Sequence, residues 1–219
     1  MGKTALILGA TGLVGGACLA RLLKDDSFEK VVALTRTPLT VKHNKLFNAV
    51  VDFNHPDSYV EYCVGDVLFS AMGTTIGKAG SKDAFLKVDY TYPFEVAKAA
   101  KQNGVGSHVL ISSLGADAGS SIFYSQVKGK LERDISLLGF TTNIIIQPSI
   151  LLGERKESRP MERIGQSFVQ KCSFLFVGPL AQFKGVSAET VAIAMIALAK
   201  GNNKGKLVVE NRELFTFEK

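Results

Sequence analysis

Apolar residues in this chain alternate between short unbroken runs and stripes with helical spacing, and glycines mark many of the changes between them. Ala5 to Leu8 is the first run and reads as a buried strand. Leu13 to Lys24 follows with Leu13, Ala17, Ala20 and Leu23 near one face of a helix. Lys30 to Arg36, Phe47 to Asp52 and Asp66 to Met72 read as the second, third and fourth strands, with a short helix over Pro56 to Tyr62. Ser81 to Asn103 predicts a long helix, broken near Pro93 and ended by Gly104 and Gly106. Ser107 to Ile111 reads as strand, Phe123 to Leu138 as helix, and Thr141 to Gln147 as strand closed by Pro148.

Past Gly153 the character changes. Glu154 to Arg163 packs charges around Pro160, and the segment to Cys172 predicts a helix lying over the sheet's ligand crevice. The apolar helix from Val186 to Lys200 implies burial against the sheet or a partner, which makes a homodimer one expectation. Leu207 to Glu210 and Leu214 to Phe217 read as short strands. Alternating strand and helix predicts an α/β fold, a Rossmann-type doubly wound parallel sheet with helices on both faces. Residues 1–219 form one domain in this reading, with 154–219 supplying a small substrate-side lid and the C-terminal elements.

Composition narrows the function classes. The 219 residues are 46% hydrophobic and 21% charged, which fits one globular domain. The net charge of +6 comes from scattered basic residues without a run of five, so nucleic acid is not an expected partner. His43, His55 and His108 lack metal-ligand spacing, so no metal site is expected. Cys18, Cys63 and Cys172 are odd in number and far apart, which suits reduced thiols. With no apolar leader before the first strand, the expected location is cytoplasmic. The longest apolar run, Val191 to Ala199, is far short of the ~20 residues of a membrane span, so no membrane association is expected.

The first strand passes through Gly9-Ala10-Thr11-Gly12-Leu13-Val14-Gly15 straight into the first helix. That placement suits a dinucleotide's pyrophosphate. Gly9 permits the tight turn, Gly12 lets the backbone approach phosphate, and Gly15 lets helix and strand pack closely. The helix N-terminus then offers free N–H groups and the positive end of its dipole. The second strand ends in Thr35-Arg36-Thr37, where a cofactor lacking the 2′-phosphate would call for an acid; a guanidinium there points to NADP(H) over NAD(H). Asp52 and Phe53 end the third strand on the edge where adenine lies. Ala71-Met72-Gly73-Thr74 ends the fourth with small residues, allowing the backbone to follow the cofactor's ribose and phosphates.

Tyr124 and Lys128 stand four apart in a predicted helix and share a face. An ammonium beside a phenol favours the phenolate, which makes a general acid/base for exchanging a proton with a carbonyl or alcohol oxygen. Ser112 or Ser113, after the fifth strand, can hold that oxygen.

The order of glycine turn, paired serines, tyrosine and lysine resembles the short-chain dehydrogenase/reductase superfamily over roughly Thr4 to Gly153. VDYTYPFEVAKAAK (Val88 to Lys101), ISSLGAD (Ile111 to Asp117), FYSQVKGKLE (Phe123 to Glu132) and QPSILLGER (Gln147 to Arg155) are similar to its atypical group of Tat-interacting, NADPH-binding oxidoreductase-like proteins, often labelled nucleoside-diphosphate-sugar epimerases. The resemblance implies Tyr124 as acid/base, Lys128 as its partner and ribose ligand, and Ser113 as the catalytic serine. It places Gly9, Thr11, Gly12, Leu13, Val14 and Arg36 at the phosphates and adenosine end, and Pro148-Ser149 near the nicotinamide. Gln147 departs from the group, which commonly has arginine before the proline. The short C-terminal part leaves little material for a sugar-nucleotide pocket.

Three functions follow in order. The first is an NADP(H)-dependent oxidoreductase acting on a small carbonyl or alcohol. The second is a non-enzymatic NADP(H) sensor that reports to a protein partner, and the third an epimerase or dehydratase with tightly held cofactor.

Overall fold

The computed structural model describes residues 2–153 and 183–218. The predicted lid over Glu154 to Arg163, and its continuation to Cys172, lie outside the described residues. Seven parallel strands form the main sheet: β1 (Lys3–Leu8), β2 (Phe28–Thr35), β3 (Leu46–Val50), β4 (Val67–Ser70), β5 (Ser107–Ile111), β6 (Thr142–Gln147) and, last in the chain, the Gly205–Glu210 strand. Their order is β3-β2-β1-β4-β5-β6 followed by that last strand. The order reverses beside β1, where the crevice of a doubly wound sheet opens at the carboxyl ends of the strands. A separate two-residue pair, β7 (Leu151–Leu152) and β8 (Val186–Ser187), brings the chain back toward the sheet. The Gly205–Glu210 strand is therefore β9.

Strand alternation sorts the core into two layers. Ala5, Ile7, Val31, Ala33, Phe69 and Val109 face one side, and Leu6, Leu8, Val32, Leu34, Leu68 and Leu110 the other. The first side is covered by α1 (Leu13–Leu22) and the helix Ala188–Lys200, and the second by α4 (Tyr92–Gln102) and α5 (Phe123–Ser136). Val191, Ala192, Ala194 and Met195 are fully buried within the chain. Of the two expected covers for this apolar helix, the sheet buries these residues. Arg21 of α1 and Glu189 form an ion pair between the two helices on that side.

The long helix expected over Ser81 to Asn103 is divided into α3 (Lys82–Leu86), a π-helical turn at Lys87–Thr91, and α4. Its cause is local. Pro93 has no N–H to give the carbonyl four residues back, and its ring would clash there, so the helix widens ahead of it. A short α2 (Ile76–Ala79) precedes α3, capped by the Thr75 hydroxyl. The helix predicted over Pro56 to Tyr62 is two 3-10 turns.

The strand predicted at Leu214 to Phe217 is corrected. Asn211–Leu214 is helical and Phe215–Phe217 is a 3-10 turn. The Glu210 and Glu213 side chains cap each other's backbone, and this capping box starts a helix where the Leu-Phe-Thr-Phe alternation suggested a strand. Residues 188–218 add the last strand and a covering helix to the sheet.

Candidate active site

The β1–α1 turn is built as the glycines require. Gly9 has φ 87°, and a Cβ there would lie 2.5 Å from the Ala71 carbonyl. Its backbone is pressed against Ala71-Met72 at the end of β4. A Cβ on Gly15 would be driven into the Gly9 carbonyl, so this glycine lets α1 close on the turn. Gly12 differs: its N–H donates to the Gly9 carbonyl at 2.9 Å, and an added Cβ would stand 3.2 Å from that oxygen. It caps α1 with no side-chain hydrogen bond, and no acid occupies the first turn. Among the described residues no side chain caps the first-turn N–H groups, which is the arrangement an anion requires. Thr11 and Gly12 are exposed, Leu13 is half-buried and touches the Gly153 position, and Val14 is core.

Beyond β4, Gly73-Thr74 meets a residue that sequence reasoning missed. Asp89, in the π-helical turn, is buried; its Oδ2 accepts the Thr74 N–H at 2.7 Å and its Oδ1 lies 3.4 Å from Lys128 Nζ. Lys128 is itself 3% exposed. One carboxylate therefore joins the β4 loop, the π turn and α5. Burial lifts the Asp89 carboxyl above its ordinary range, against the opposing pull of the Lys128 charge and the Thr74 N–H. The signal for it in the sequence was an acid inside an aromatic helical stretch, four residues before a proline.

Tyr124 opens α5 half-buried, its ring packed on Phe85 with centroids 5.7 Å apart. Gly129 lets the preceding loop cross α5, since a Cβ there would strike the Asp117–Ala118 backbone, and the Asp117 N–H donates to the Ser125 carbonyl. The serines differ. Ser113 is half-buried and its hydroxyl donates to the Leu114 carbonyl at 3.2 Å. Ser112 is buried, and its hydroxyl has no partner among the described residues. Both lie at the end of β5, beside the β4 loop in the sheet.

Other predicted residues sit differently from one another. Arg36 is exposed just past β2, and Asp52 is exposed with its carboxylate accepting from the Asn54 backbone and amide, which hold it below the usual carboxylate range. The Phe53 ring is in the core against Tyr59 and Tyr92, so only its main chain is available to adenosine. Pro148 is buried, and the Ser149 hydroxyl donates to the Lys184 carbonyl, so its side chain is already engaged. Gln147 donates from one amide nitrogen to both Glu132 oxygens, at 3.0 and 3.1 Å, fastening β6 to α5 with a neutral donor. Among the described residues, no group of His, Cys, Asp and Glu could hold a metal ion, and no helix is long and apolar enough to cross a membrane.

The profile of the NAD(P)H-binding family matches residues 9–135, a span that runs from the glycine turn through most of α5. FMP52-1 of Scheffersomyces stipitis is 40% identical over 209 residues, 92% of this chain and 91% of that protein. HTATIP2 of Rattus norvegicus is 39% identical over 170 residues, 76% of this chain and 70% of that protein. Among solved structures, the UDP-N-acetylglucosamine 4-epimerase of Methanobrevibacter ruminantium superposes with a TM-score of 0.72 at 14% identity, covering 95% of this chain and 76% of its own. Bordetella bronchiseptica WbmH in complex with NAD+ gives 0.70 at 17%, covering 96% and 76%. At such identities the likeness speaks for the fold alone. The cytoplasmic expectation is overturned by the fungal relatives, which are named mitochondrial. An apolar leader marks secretion and does not report on a mitochondrial address. The sheet order and the strand-to-helix turn at Gly9 agree with the family match: this chain belongs to the NAD(P)H-binding family, in the atypical branch of the short-chain dehydrogenase/reductase superfamily with HTATIP2 and FMP52.

Proposed function

We propose that the protein is an NADP(H)-dependent oxidoreductase acting on a small carbonyl or alcohol. The observation that carries this reading is the buried Lys128, held one turn beyond Tyr124 on α5 by an Asp89 that also takes the Thr74 N–H of the loop after β4. The residues fit a dinucleotide. Among the described residues, the glycine turn leaves a cradle of helical N–H groups that no side chain caps, and the buried Ser112 hydroxyl lacks a partner.

When bound, the reduced cofactor supplies a hydride. The first-turn N–H groups of α1 would hold its phosphates, with Gly12 leaving room for their approach, and Arg36 would pair with the 2′-phosphate. Ser113 donates a hydrogen bond to the substrate oxygen and orients it. Tyr124 gives its phenolic proton to that oxygen as it gains charge, and the Lys128 ammonium steadies the phenolate left behind. In the oxidation direction the proton returns to Tyr124. The likeness to the FMP52 proteins also supports a mitochondrial setting, which imaging of a C-terminally tagged chain would check.

The test is Tyr124→Phe. Turnover across a panel of small aldehydes and ketones should disappear while NADPH binding persists, and full activity in the variant would end this reading.

A further inference from the structure

We infer that Asn48, on the outermost strand β3, is a positioning residue for cofactor selection: it clamps both ends of the arch that presents Arg36. The inference rests on the reading of Arg36 as the 2′-phosphate ligand.

The Asn48 amide nitrogen donates to the Ala33 carbonyl at 3.1 Å and to the Thr35 hydroxyl at 2.7 Å, and its oxygen accepts the Leu39 N–H at 2.8 Å. The nitrogen faces a carbonyl, which only accepts, and the oxygen faces an N–H, which only donates. Chemistry thus fixes the orientation of the amide. Between Thr35 and Leu39 lie Arg36, Thr37 and Pro38, all exposed. The near end is also tied by the Val51 N–H on the Thr35 carbonyl, and Pro38 stiffens the arch. Leu39 anchors the far end by packing on the core.

The topology makes this amide matter. β3 is the edge of the sheet, so no further strand in that sheet braces the arch from outside. An exposed arginine on a loose three-residue loop must be ordered when it meets a phosphate, which subtracts from affinity. Here the loop is ordered in advance through Asn48. That benefit reaches a cofactor carrying the 2′-phosphate and bypasses one that lacks it.

The experiment titrates wild type, Arg36→Ser, Asn48→Leu, Pro38→Gly and the Arg36→Ser/Asn48→Leu double variant with NADPH and NADH, following cofactor fluorescence, with thermal melts to confirm folding. Asn48→Leu keeps the branched side-chain shape and removes all three hydrogen bonds. It should weaken NADPH about five- to tenfold and leave NADH within about twofold. Pro38→Gly should shift the same ratio in the same direction, and it carries the test alone should Asn48→Leu fail to fold. In the Arg36→Ser background Asn48→Leu should have no further effect on NADPH, because the two act through one contact. Equal weakening of both cofactors, additive effects in the double variant, or an unchanged ratio would overturn the role of Asn48. An unchanged ratio in Arg36→Ser would instead remove the Arg36 reading, and this inference with it.

Discussion

Asp89 and Lys128 form a buried ion pair, Oδ1 to Nζ 3.4 Å, whose second carboxylate oxygen takes the Thr74 N–H. Removing one partner leaves a charge in the core. Asp89→Ala should therefore destabilise the protein by about 3–5 kcal/mol in urea unfolding, and Asp89→Asn/Lys128→Met by clearly less than its two single changes combined. Losses under about 1 kcal/mol for Asp89→Ala would place the pair in solvent.

The glycines of the turn separate fold from ligand. Gly12 has φ −80° and ψ 173°, which alanine adopts freely, and its Cβ meets nothing closer than 3.2 Å. Gly12→Ala should cost about 1 kcal/mol or less in thermal stability. With the phosphates on this turn, as proposed, the added methyl would stand in their way, and NADPH affinity should fall by more than about tenfold as charge-assisted N–H bonds are lost. Gly15→Ala forces the methyl into the Gly9 carbonyl and should lose stability as well, by about 1–3 kcal/mol.

His108 gives the stability a pH dependence away from the crevice. It is fully buried on β5, stacked on Phe140, with Nδ1 3.1 Å from the Asn143 oxygen. The Asn143 amide nitrogen is turned to Ser136, whose hydroxyl donates to the Glu132 carbonyl, so Nδ1 carries the proton. Burial pushes the imidazole down from 6.5 to about 4. The unfolded chain then binds more protons between these values, so stability is complete above pH 6.5 and falls as pH drops toward 4. The loss is at most about 3 kcal/mol. Denaturant midpoints from pH 7.5 to 4.5 should show the slope, and His108→Phe should flatten it.

The fold was legible because period and punctuation agreed: buried runs, helical stripes and glycines between them. Leu214 to Phe217 misled because alternation over four residues suits a strand, whereas the Glu210–Glu213 spacing that decides the helix is a weaker mark. The glycine turn and the Tyr124–Lys128 pair could be singled out because each lies within one short stretch, which the structure keeps as one turn and one helix. Asp89 and Asn48 could not, since each acts through partners from other elements: Asp89 meets Lys128 39 residues away, and Asn48 closes an arch whose far end is Leu39. Gln147 stood out only as a substitution, and folding explains it by the Glu132 carboxylate across α5.

The most direct measurement is a fluorescence titration of the purified protein with NADPH and NADH, with Gly12→Ala alongside. Saturable NADPH binding, weaker NADH binding and loss of both in Gly12→Ala would place the dinucleotide on the β1–α1 turn. NADPH binding that survives Gly12→Ala undiminished, or no binding by the wild type, would contradict that placement.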